Sequence, residues 1–236
     1  MKISGDWLAH PGTQRLLQVL GHAGHHALFV GGCVRNALVG LAVNDVDIAT
    51  DARPETVTKL AKTAGFRVIP TGPAHGTVTV LADGAAHEVT TFRQDVETDG
   101  RHAVVAFTTS IAQDAARRDF TMNARYADAA GNIIDPVGGL TDVLARQVRF
   151  VGDAQARIRE DYLRILRFFR FHAIYGDQTA GIDAEGLAAC AGNADGLEIL
   201  SKERVGAEMR KLLGAPDPAA AVCAMAQVGV LARILP

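Results

Sequence analysis

The chain has 236 residues, 48% hydrophobic and 21% charged, which is enough apolar sequence to bury one large domain or two modest ones. Its formal net charge of −2 gives no general attraction to nucleic acid. No run approaches the length of a membrane-spanning helix and no secretion signal is recognisable, so we expect no membrane partner. Three widely spaced cysteines predict reduced thiols in a cytoplasmic protein.

The first part of the chain predicts a mixed α and β domain. Apolar residues recur at helical spacing over residues 11–23, 34–41 and 54–64. Short apolar or alternating runs predict strands over residues 27–30, 46–49, 66–69, 77–81 and 87–92. We therefore expect an α+β fold with a small sheet.

Past residue 147 the pattern becomes helical. Helices are predicted over residues 154–174, 184–190, 202–213 and 219–231, and no convincing strand follows. We place a boundary near residue 148, with an α+β head over residues 1–148 and an all-helical neck over residues 149–236.

Two aspartates lie at the mouth of the strand predicted over residues 46–49. Asp45 and Asp47 are two residues apart and should project from one face, and Glu88 on a later strand could supply a third carboxylate. Oxygen-only ligands suit Mg²⁺ or Mn²⁺, and two such ions can activate a hydroxyl and stabilise a leaving pyrophosphate. Taken alone, an Asp-x-Asp pair is more often a solvated loop.

A glycine pair precedes these aspartates, between a predicted strand and a predicted helix. Gly31 and Gly32 would let backbone N–H groups approach a triphosphate, and Arg35, one turn into the helix, would neutralise its charge. A Gly-Gly pair alone usually marks a turn. Followed by a carboxylate pair, it is a more specific sign of a nucleotide site.

The segment FVGGCVRNALVGLAVNDVDIAT resembles the signature of the nucleotidyltransferase superfamily with a polymerase-β-like head, in its bacterial tRNA nucleotidyltransferase and poly(A) polymerase branch. The resemblance implies a five-stranded, metal-dependent head. It also implies Asp45 and Asp47 as metal ligands, and Gly32 and Arg35 as triphosphate contacts. The family usually has aspartate where this chain has Asn36, whose amide we expect to support its neighbours through hydrogen bonds.

A second motif, RRDFTMNA, covers residues 117–124. Read as two helical turns, it would place Asp119 and Asn123 on one face, where they could hold a ribose, although surface ion pairs and a helix cap would also account for these residues. The string is similar to the second motif of the same family. That resemblance implies that Arg118 contacts the nucleotide and that Asp119 and Asn123 lie near the ribose.

A third motif, EDYLRILRFFRF, lies in the helix predicted over residues 154–174. Asp161 and Arg164, three apart, could accept from the exocyclic amine and donate to the ring nitrogen of cytosine or adenine, whereas guanine and uracil reverse both contacts. A surface ion pair is the alternative. The motif resembles the base-reading motif of the family, which adds Arg167 and Arg170 as nucleotide contacts.

Three further segments resemble the family. DPVGGLTD, over residues 135–142, is similar to its head–neck junction, and residues 199–213 are similar to a neck motif that we interpret as packing. Residues 95–102, DVETDGRH, resemble a loop that favours complete CCA addition. The chain stops at VLARILP, where body and tail domains would be expected to follow.

These patterns predict template-independent addition of CCA, from CTP and ATP, to the 3′ end of tRNA, with two Mg²⁺ ions and Mn²⁺ as an alternative. Two other interpretations stay open at this stage. One is a poly(A) polymerase or an enzyme that adds only A. The other is a catalytically idle RNA-binding fragment of such an enzyme.

Overall fold

A computed structural model describes residues 1–72, 76–98 and 103–235. The chain forms two compact units. Unit 1 comprises residues 1–97, 104–118 and 122–140, and unit 2 comprises residues 98–103, 119–121 and 141–236. The chain therefore passes between the units several times, and the boundary predicted near residue 148 falls inside unit 2.

Unit 1 is built on a seven-stranded mixed sheet with helices. Its helices are α1 Asp6–Ala9, α2 Pro11–His22, α3 Gly32–Val39, α4 Pro54–Thr63 and α5 Ile111–Ala116, and α6 Leu140–Leu144 begins at its last residue. The strands of the sheet are β1 Ala27–Val30, β2 Val46–Thr50, β3 Arg67–Gly72, β4 Thr77–Ala82, β5 Ala85–Thr91, β8 Tyr126–Ala127 and β9 Ile133–Ile134. Two more strands, β6 Arg93–Thr98 and β7 Ala103–Phe107, pair with each other.

The sheet has the strand order β3-β4-β5-β2-β1-β8-β9. Strands β2 and β5 run parallel, and the other neighbouring pairs are antiparallel. The predicted α+β fold is thus confirmed, and its sheet is mixed. The five strands implied by the family resemblance are an underestimate, because the two-residue strands β8 and β9 extend the sheet.

The core of unit 1 follows from the sequence periodicities. Leu16 and Leu20, four residues apart on α2, are completely buried, as are Phe29 of β1 and Ile48 of β2. The edge of Trp7 packs against the ring of Phe29 with centroids 5.0 Å apart. Antiparallel pairing places β1 and β2 side by side over this core, and their ends carry the predicted site residues.

Unit 2 is helical, as predicted. Its helices after α6 are α7 Ala154–Glu160, α8 Leu163–Tyr175, α9 Ala184–Gly192, α10 Lys202–Leu213, α11 Ala219–Gln227 and α12 Val230–Ile234, with a 3₁₀ turn at Ala194–Ile199. An aromatic cluster forms its core: Phe120 lies 5.0 Å from Phe150 and 4.9 Å from Phe171, and Phe150 stacks on Phe168 at 5.4 Å.

Two predicted helices are each split in two. The helix expected over residues 154–174 breaks at Asp161, whose extended backbone (φ −157°) ends α7. The helix expected over residues 219–231 breaks before α12 at Gly229, with a φ of 75°. In both cases a residue suited to non-helical backbone sits within an otherwise helical pattern.

The second motif is not helical either. α5 ends at Ala116, and only Thr121–Asn123 forms a 3₁₀ turn, so the two helical turns expected over residues 117–124 are wrong. Asp119 belongs to unit 2 and Asn123 to unit 1. The two side chains therefore do not share a helix face.

Among the described residues, none of the helices combines the length and apolar character needed to cross a bilayer.

Candidate active site

Strand pairing brings the predicted carboxylates to one place. In the parallel ladder between β2 and β5, Asp47 is the register partner of Glu88. Asp45 directly precedes β2, two residues before Asp47. All three carboxylates line one pocket of about 460 Å³, which we call the carboxylate pocket; its lining is completed by Val46, Thr79 and Ala86.

The carboxylate pocket concentrates negative charge. Burial, followed by repulsion from Glu88 and Asp45, raises the pKa of Asp47 to about 6, although Arg118 acts in the opposite direction. The donors in the lining are carboxylate and hydroxyl oxygens, the ligands that Mg²⁺ and Mn²⁺ prefer. In donor chemistry and in charge, Asp45, Asp47 and Glu88 therefore fit a divalent cation.

The same carboxylates do not form a ready-made cage. Across residues 1–72, 76–98 and 103–235, no group of three or more His, Cys, Asp or Glu side chains is arranged so that it could hold a metal ion. The assignment of Asp45, Asp47 and Glu88 as metal ligands thus stays a prediction.

The glycine pair lies beside the carboxylate pocket. Val30, the last residue of β1, is the register partner of Asp47, and Gly31 follows directly. Gly31 has a φ of 73° and a ψ of −120°, a conformation open to glycine, and it turns the chain into α3. The N–H of Gly31 donates to the carbonyl of Arg125 at 3.3 Å. Gly31 therefore contributes its turn geometry, whereas the N–H groups in the first turn of α3 carry the partial positive charge of a helix N-terminus.

Two guanidinium groups flank this helix end. A methyl group placed on Gly31 would lie 3.6 Å from Nη1 of Arg118, and one placed on Gly32 would lie 3.7 Å from Nη2 of Arg35. Two cations beside the N-terminus of a helix, next to a pocket of carboxylates, have the charges that a phosphate chain and a divalent cation would need, so phosphate binding here stays a prediction.

Arg35 is held by two amides. This side chain is 7% exposed, and its Nη1 donates to Oδ1 of Asn123 at 2.7 Å. Its Nε and Nη2 donate to Oδ1 of Asn36 at 3.1 and 2.8 Å, and Nδ2 of Asn36 donates to the carbonyl of Ala42. Asn36 thus orients Arg35, in agreement with the expected supporting role, and Asn123 contacts Arg35 in the same unit.

Arg118 is held by a buried acid and a buried phenol. Its Nη2 donates to Oδ2 of Asp114 at 2.9 Å, and its Nε donates to the hydroxyl of Tyr126 at 3.3 Å. The Tyr126 hydroxyl in turn donates to Oδ2 of Asp114 at 2.6 Å. Burial favours a higher pKa for Asp114, but Arg118, Arg117 and Tyr126 outweigh it and lower that pKa to about 2, so Asp114 is ionised.

Asp114 and Tyr126 hold Arg118 beside the glycine pair, and neither of them was identified from the sequence. The spacing of Asp114 with Arg117 and Arg118, three and four residues later, was an available signal, because such pairs meet at the end of a helix. Tyr126 gave no signal, since its place depends on β8 pairing with β1.

In unit 2, the predicted base-reading pair is engaged with other residues. Both carboxylate oxygens of Asp161 accept from Nη2 of Arg204, at 3.0 and 2.8 Å, and Oδ1 also accepts from the N–H of Leu163. Nη1 of Arg164 donates to Oε2 of Glu160 at 2.5 Å and to a backbone carbonyl. The continuous helix that would have aligned Asp161 with Arg164 is absent, as described above.

The two later arginines of that motif make ion pairs within unit 2. Nε of Arg167 donates to Oδ2 of Asp119 at 2.9 Å. Nε of Arg170 donates to Oε2 of buried Glu208 at 2.6 Å. Asp119 therefore meets Arg167, and the nucleotide contacts predicted for Arg167 and Arg170, like the ribose contact of Asp119, stay predictions.

The remaining segments have simple structural roles or lie partly outside the described residues. In DPVGGLTD, the carboxylate of Asp135 accepts from the N–H groups of Gly139 and Leu140, and the chain passes to unit 2 after Leu140. Residues 202–213 form α10, which packs against α8. Of the predicted loop 95–102, residues 95–98 belong to β6, and residues 99–102 lie outside the described residues.

Family models match both units. A model described as "Poly A polymerase head domain" matches residues 27–149, and one described as "Probable RNA and SrmB- binding site of polymerase A" matches residues 181–236. Among curated relatives, a Mus musculus protein named CCA tRNA nucleotidyltransferase 1, mitochondrial, is 43% identical over 203 residues, 86% of this chain and 47% of the relative. A Geobacillus stearothermophilus CCA-adding enzyme is 43% identical over 221 residues, 93% of this chain and 53% of the relative.

A solved structure, the Bacillus stearothermophilus CCA-adding enzyme in complex with CTP, matches with a TM-score of 0.83 and 40% identity, covering 93% of this chain and 52% of that one. The chain thus spans about half the length of the relatives that it matches. Since the head-domain model alone covers more than half of the sequence, the chain belongs to the poly(A) polymerase head-domain family, in the branch that contains the bacterial CCA-adding enzymes.

Proposed function

We propose that this chain carries the nucleotidyl-transfer site of an enzyme that adds CCA to the 3′ end of tRNA, using CTP and ATP without a nucleic-acid template. The observation that carries the proposal is the adjacency of the carboxylate pocket to the N-terminus of α3, where Arg35 and Arg118 flank Gly31 and Gly32. The relatives named CCA-adding enzymes and the neighbour with bound CTP indicate which nucleotides to test.

The residues of unit 1 would bind the triphosphate end of the nucleotide. Arg35 and Arg118 would neutralise its oxygens, and the first turn of α3 would donate N–H groups to them. Asp45, Asp47 and Glu88 would hold two Mg²⁺ ions, or Mn²⁺ in their place. When bound, such ions increase the nucleophilicity of the RNA 3′-hydroxyl and stabilise the departing pyrophosphate.

The residues of unit 2 would select the base. Asp161 can accept from the exocyclic amine that cytosine and adenine share, and Arg164 can donate to the adjacent ring nitrogen. The second family model, matched over residues 181–236 and described as a probable RNA-binding site, supports an RNA substrate. Asp119, Arg167 and Arg170 of unit 2 would support nucleotide binding through their ion pairs. Asn123 of unit 1 would do so through its hydrogen bond to Arg35.

The test uses a tRNA transcript that ends at its discriminator base, Mg²⁺, and each of the four nucleoside triphosphates, with products resolved at single-nucleotide length. We expect ordered addition of two C residues and one A. Asp47→Asn should lower the rate about a hundredfold or more, because a neutral amide is a poor ligand for Mg²⁺.

Each other product pattern contradicts a stated part of the proposal. UTP or GTP incorporated as readily as CTP and ATP would refute base selection by unit 2. Long A tails without C would replace tRNA repair by poly(A) synthesis. An Asp47→Asn variant as fast as the wild type would refute the role of the carboxylate pocket.

A further inference from the structure

Of the two arginines beside the glycine turn, Arg35 donates to two amide oxygens, whereas Arg118 donates to a buried carboxylate and a buried phenol. Asp114, Tyr126 and Arg118 form a closed set of hydrogen bonds, which we call the Arg118 network: Arg118 donates to both partners, and Tyr126 donates to Asp114. Each contact is between a charged group and a partner in a buried setting, where such hydrogen bonds are strongest.

Asp114 is at the centre of the network. Its side chain is 1% exposed. Oδ1 accepts from Nε of Arg117 at 2.9 Å and from the N–H of Arg93 at 3.2 Å, while Oδ2 serves Arg118 and Tyr126. A carboxylate that accepts from four donors has little freedom to move. Its hydrogen bond to Nη2 of Arg118 therefore restricts the position of the guanidinium group.

The network also directs the guanidinium of Arg118. Nε and Nη2 are used by Tyr126 and Asp114, and Nη1 is the nitrogen that faces Gly31. The Tyr126 ring lies 5.4 Å from the guanidinium carbon and limits its rotation. Arg118 also lies close enough to Asp47 to oppose the rise of its pKa. Asp114 and Tyr126 thus hold Arg118 with its Nη1 toward Gly31.

We propose that Asp114 and Tyr126 are positioning residues that fix Arg118 for binding of the nucleotide triphosphate. This inference rests on the proposed function, since it takes a triphosphate as the ligand of Arg118. A preorganised cation binds an anion more tightly than a mobile one, because the side-chain ordering cost is already met in the free protein. Neither Asp114 nor Tyr126 needs to touch the nucleotide.

The experiment is a double-mutant cycle on the full chain, with inorganic tripolyphosphate as the probe and calorimetry as the measurement. Asp114→Asn keeps the shape and removes the charge, and Tyr126→Phe removes one hydroxyl. We expect Asp114→Asn to raise the Kd about tenfold and Tyr126→Phe about threefold, which is the range for the net contribution of one intramolecular hydrogen bond. In an Arg118→Ala background, neither change should alter the Kd by more than about twofold.

A matched control separates positioning from general stability. Asp128→Asn removes a carboxylate that accepts from the N–H groups of Ala130 and Asn132 in a turn of the same unit. It should lower the melting temperature and leave the Kd unchanged. If Asp114→Asn does not fold, the Kd of Tyr126→Phe in the two backgrounds tests the inference by itself, because that variant keeps the Asp114 carboxylate.

Three results would overturn the inference. One is that the wild-type chain fails to bind tripolyphosphate, and another is that both variants bind it with the wild-type Kd. The third is that each variant raises the Kd by the same factor in the wild-type and Arg118→Ala backgrounds. The proposed function fails separately, when the wild-type chain adds neither CMP nor AMP to tRNA although the cycle behaves as expected. Normal addition together with additive losses would refute only the positioning role.

Discussion

At the residue scale, Asn36 stands where the family usually has aspartate, and it still accepts hydrogen bonds from the neighbouring arginine. The usual aspartate would offer the neighbouring arginine a carboxylate, whereas Asn36 offers a single amide oxygen, and Arg35 uses it twice. Because Arg35 is buried, the acceptor matters more than the formal charge on it.

This contact predicts opposite outcomes for two substitutions of Asn36. Asn36→Ala removes the acceptor for Nε and Nη2 of Arg35 and should lower the free energy of unfolding by about 1–3 kcal/mol. Asn36→Asp loses the exposed hydrogen bond to Ala42 but places a carboxylate beside the guanidinium of Arg35, and because these effects oppose each other, its stability should stay near that of the wild type. Urea denaturation of both variants checks this, and equal damage by the two would contradict it.

At the element scale, α3 depends on the two glycines in different ways. Gly31, before the helix, has a positive φ that side chains disfavour, while Gly32 is the first residue of the helix. Each would place a methyl group in ordinary contact with an arginine, at 3.6 and 3.7 Å. Backbone conformation, and not space, therefore distinguishes the two positions.

We predict that Gly31→Ala lowers the free energy of unfolding by about 1–2 kcal/mol, the cost of a side chain at positive φ. Gly32→Ala should be neutral or stabilising, because alanine is favoured over glycine within a helix. It should nevertheless weaken tripolyphosphate binding, since its methyl group would stand at the helix end beside Arg35. Thermal melting and calorimetry give the two readouts. A Gly31→Ala variant as stable as Gly32→Ala would contradict the argument.

Some secondary-structure elements and site positions can be predicted from the periodicity of the sequence, and others cannot. Strands β1, β2 and β5 and helices α2 to α4 follow clear periodicities, and the positions of Asp45, Asp47 and Gly31 follow from them. The break at Asp161 could not be predicted from periodicity, because the apolar pattern continues through it. At the break, the carboxylate of Asp161 accepts from Arg204, which is distant in the sequence, and from the nearby N–H of Leu163.

Other features depend on contacts between residues distant in the sequence. Strands β8 and β9 have two residues each, too few for an alternating pattern; β8 pairs with β1, and β9 pairs with β8. The motif over residues 117–124 looks helical, yet its residues divide between two units. For that reason Asp119 meets Arg167 in one unit and Asn123 meets Arg35 in the other.

At the scale of the whole molecule, the predicted roles are divided between the units. The carboxylate pocket, the glycine turn and the Arg118 network belong to unit 1, and Asp161 and Arg164 belong to unit 2. If this division is functional, changes in unit 2 should alter which base is chosen and leave the affinity for a phosphate chain unchanged.

Asp161→Ala tests this division against a matched control. Losing the acceptor for the exocyclic amine should shift the ratio of UTP to CTP incorporation about tenfold or more, as expected for 1–3 kcal/mol per base contact. The Kd for tripolyphosphate should not change. Asp195→Ala removes another aspartate of unit 2 that pairs with an arginine, Arg233, and should alter neither quantity. An unchanged ratio in Asp161→Ala, or the same shift in Asp195→Ala, would show that the base is selected elsewhere.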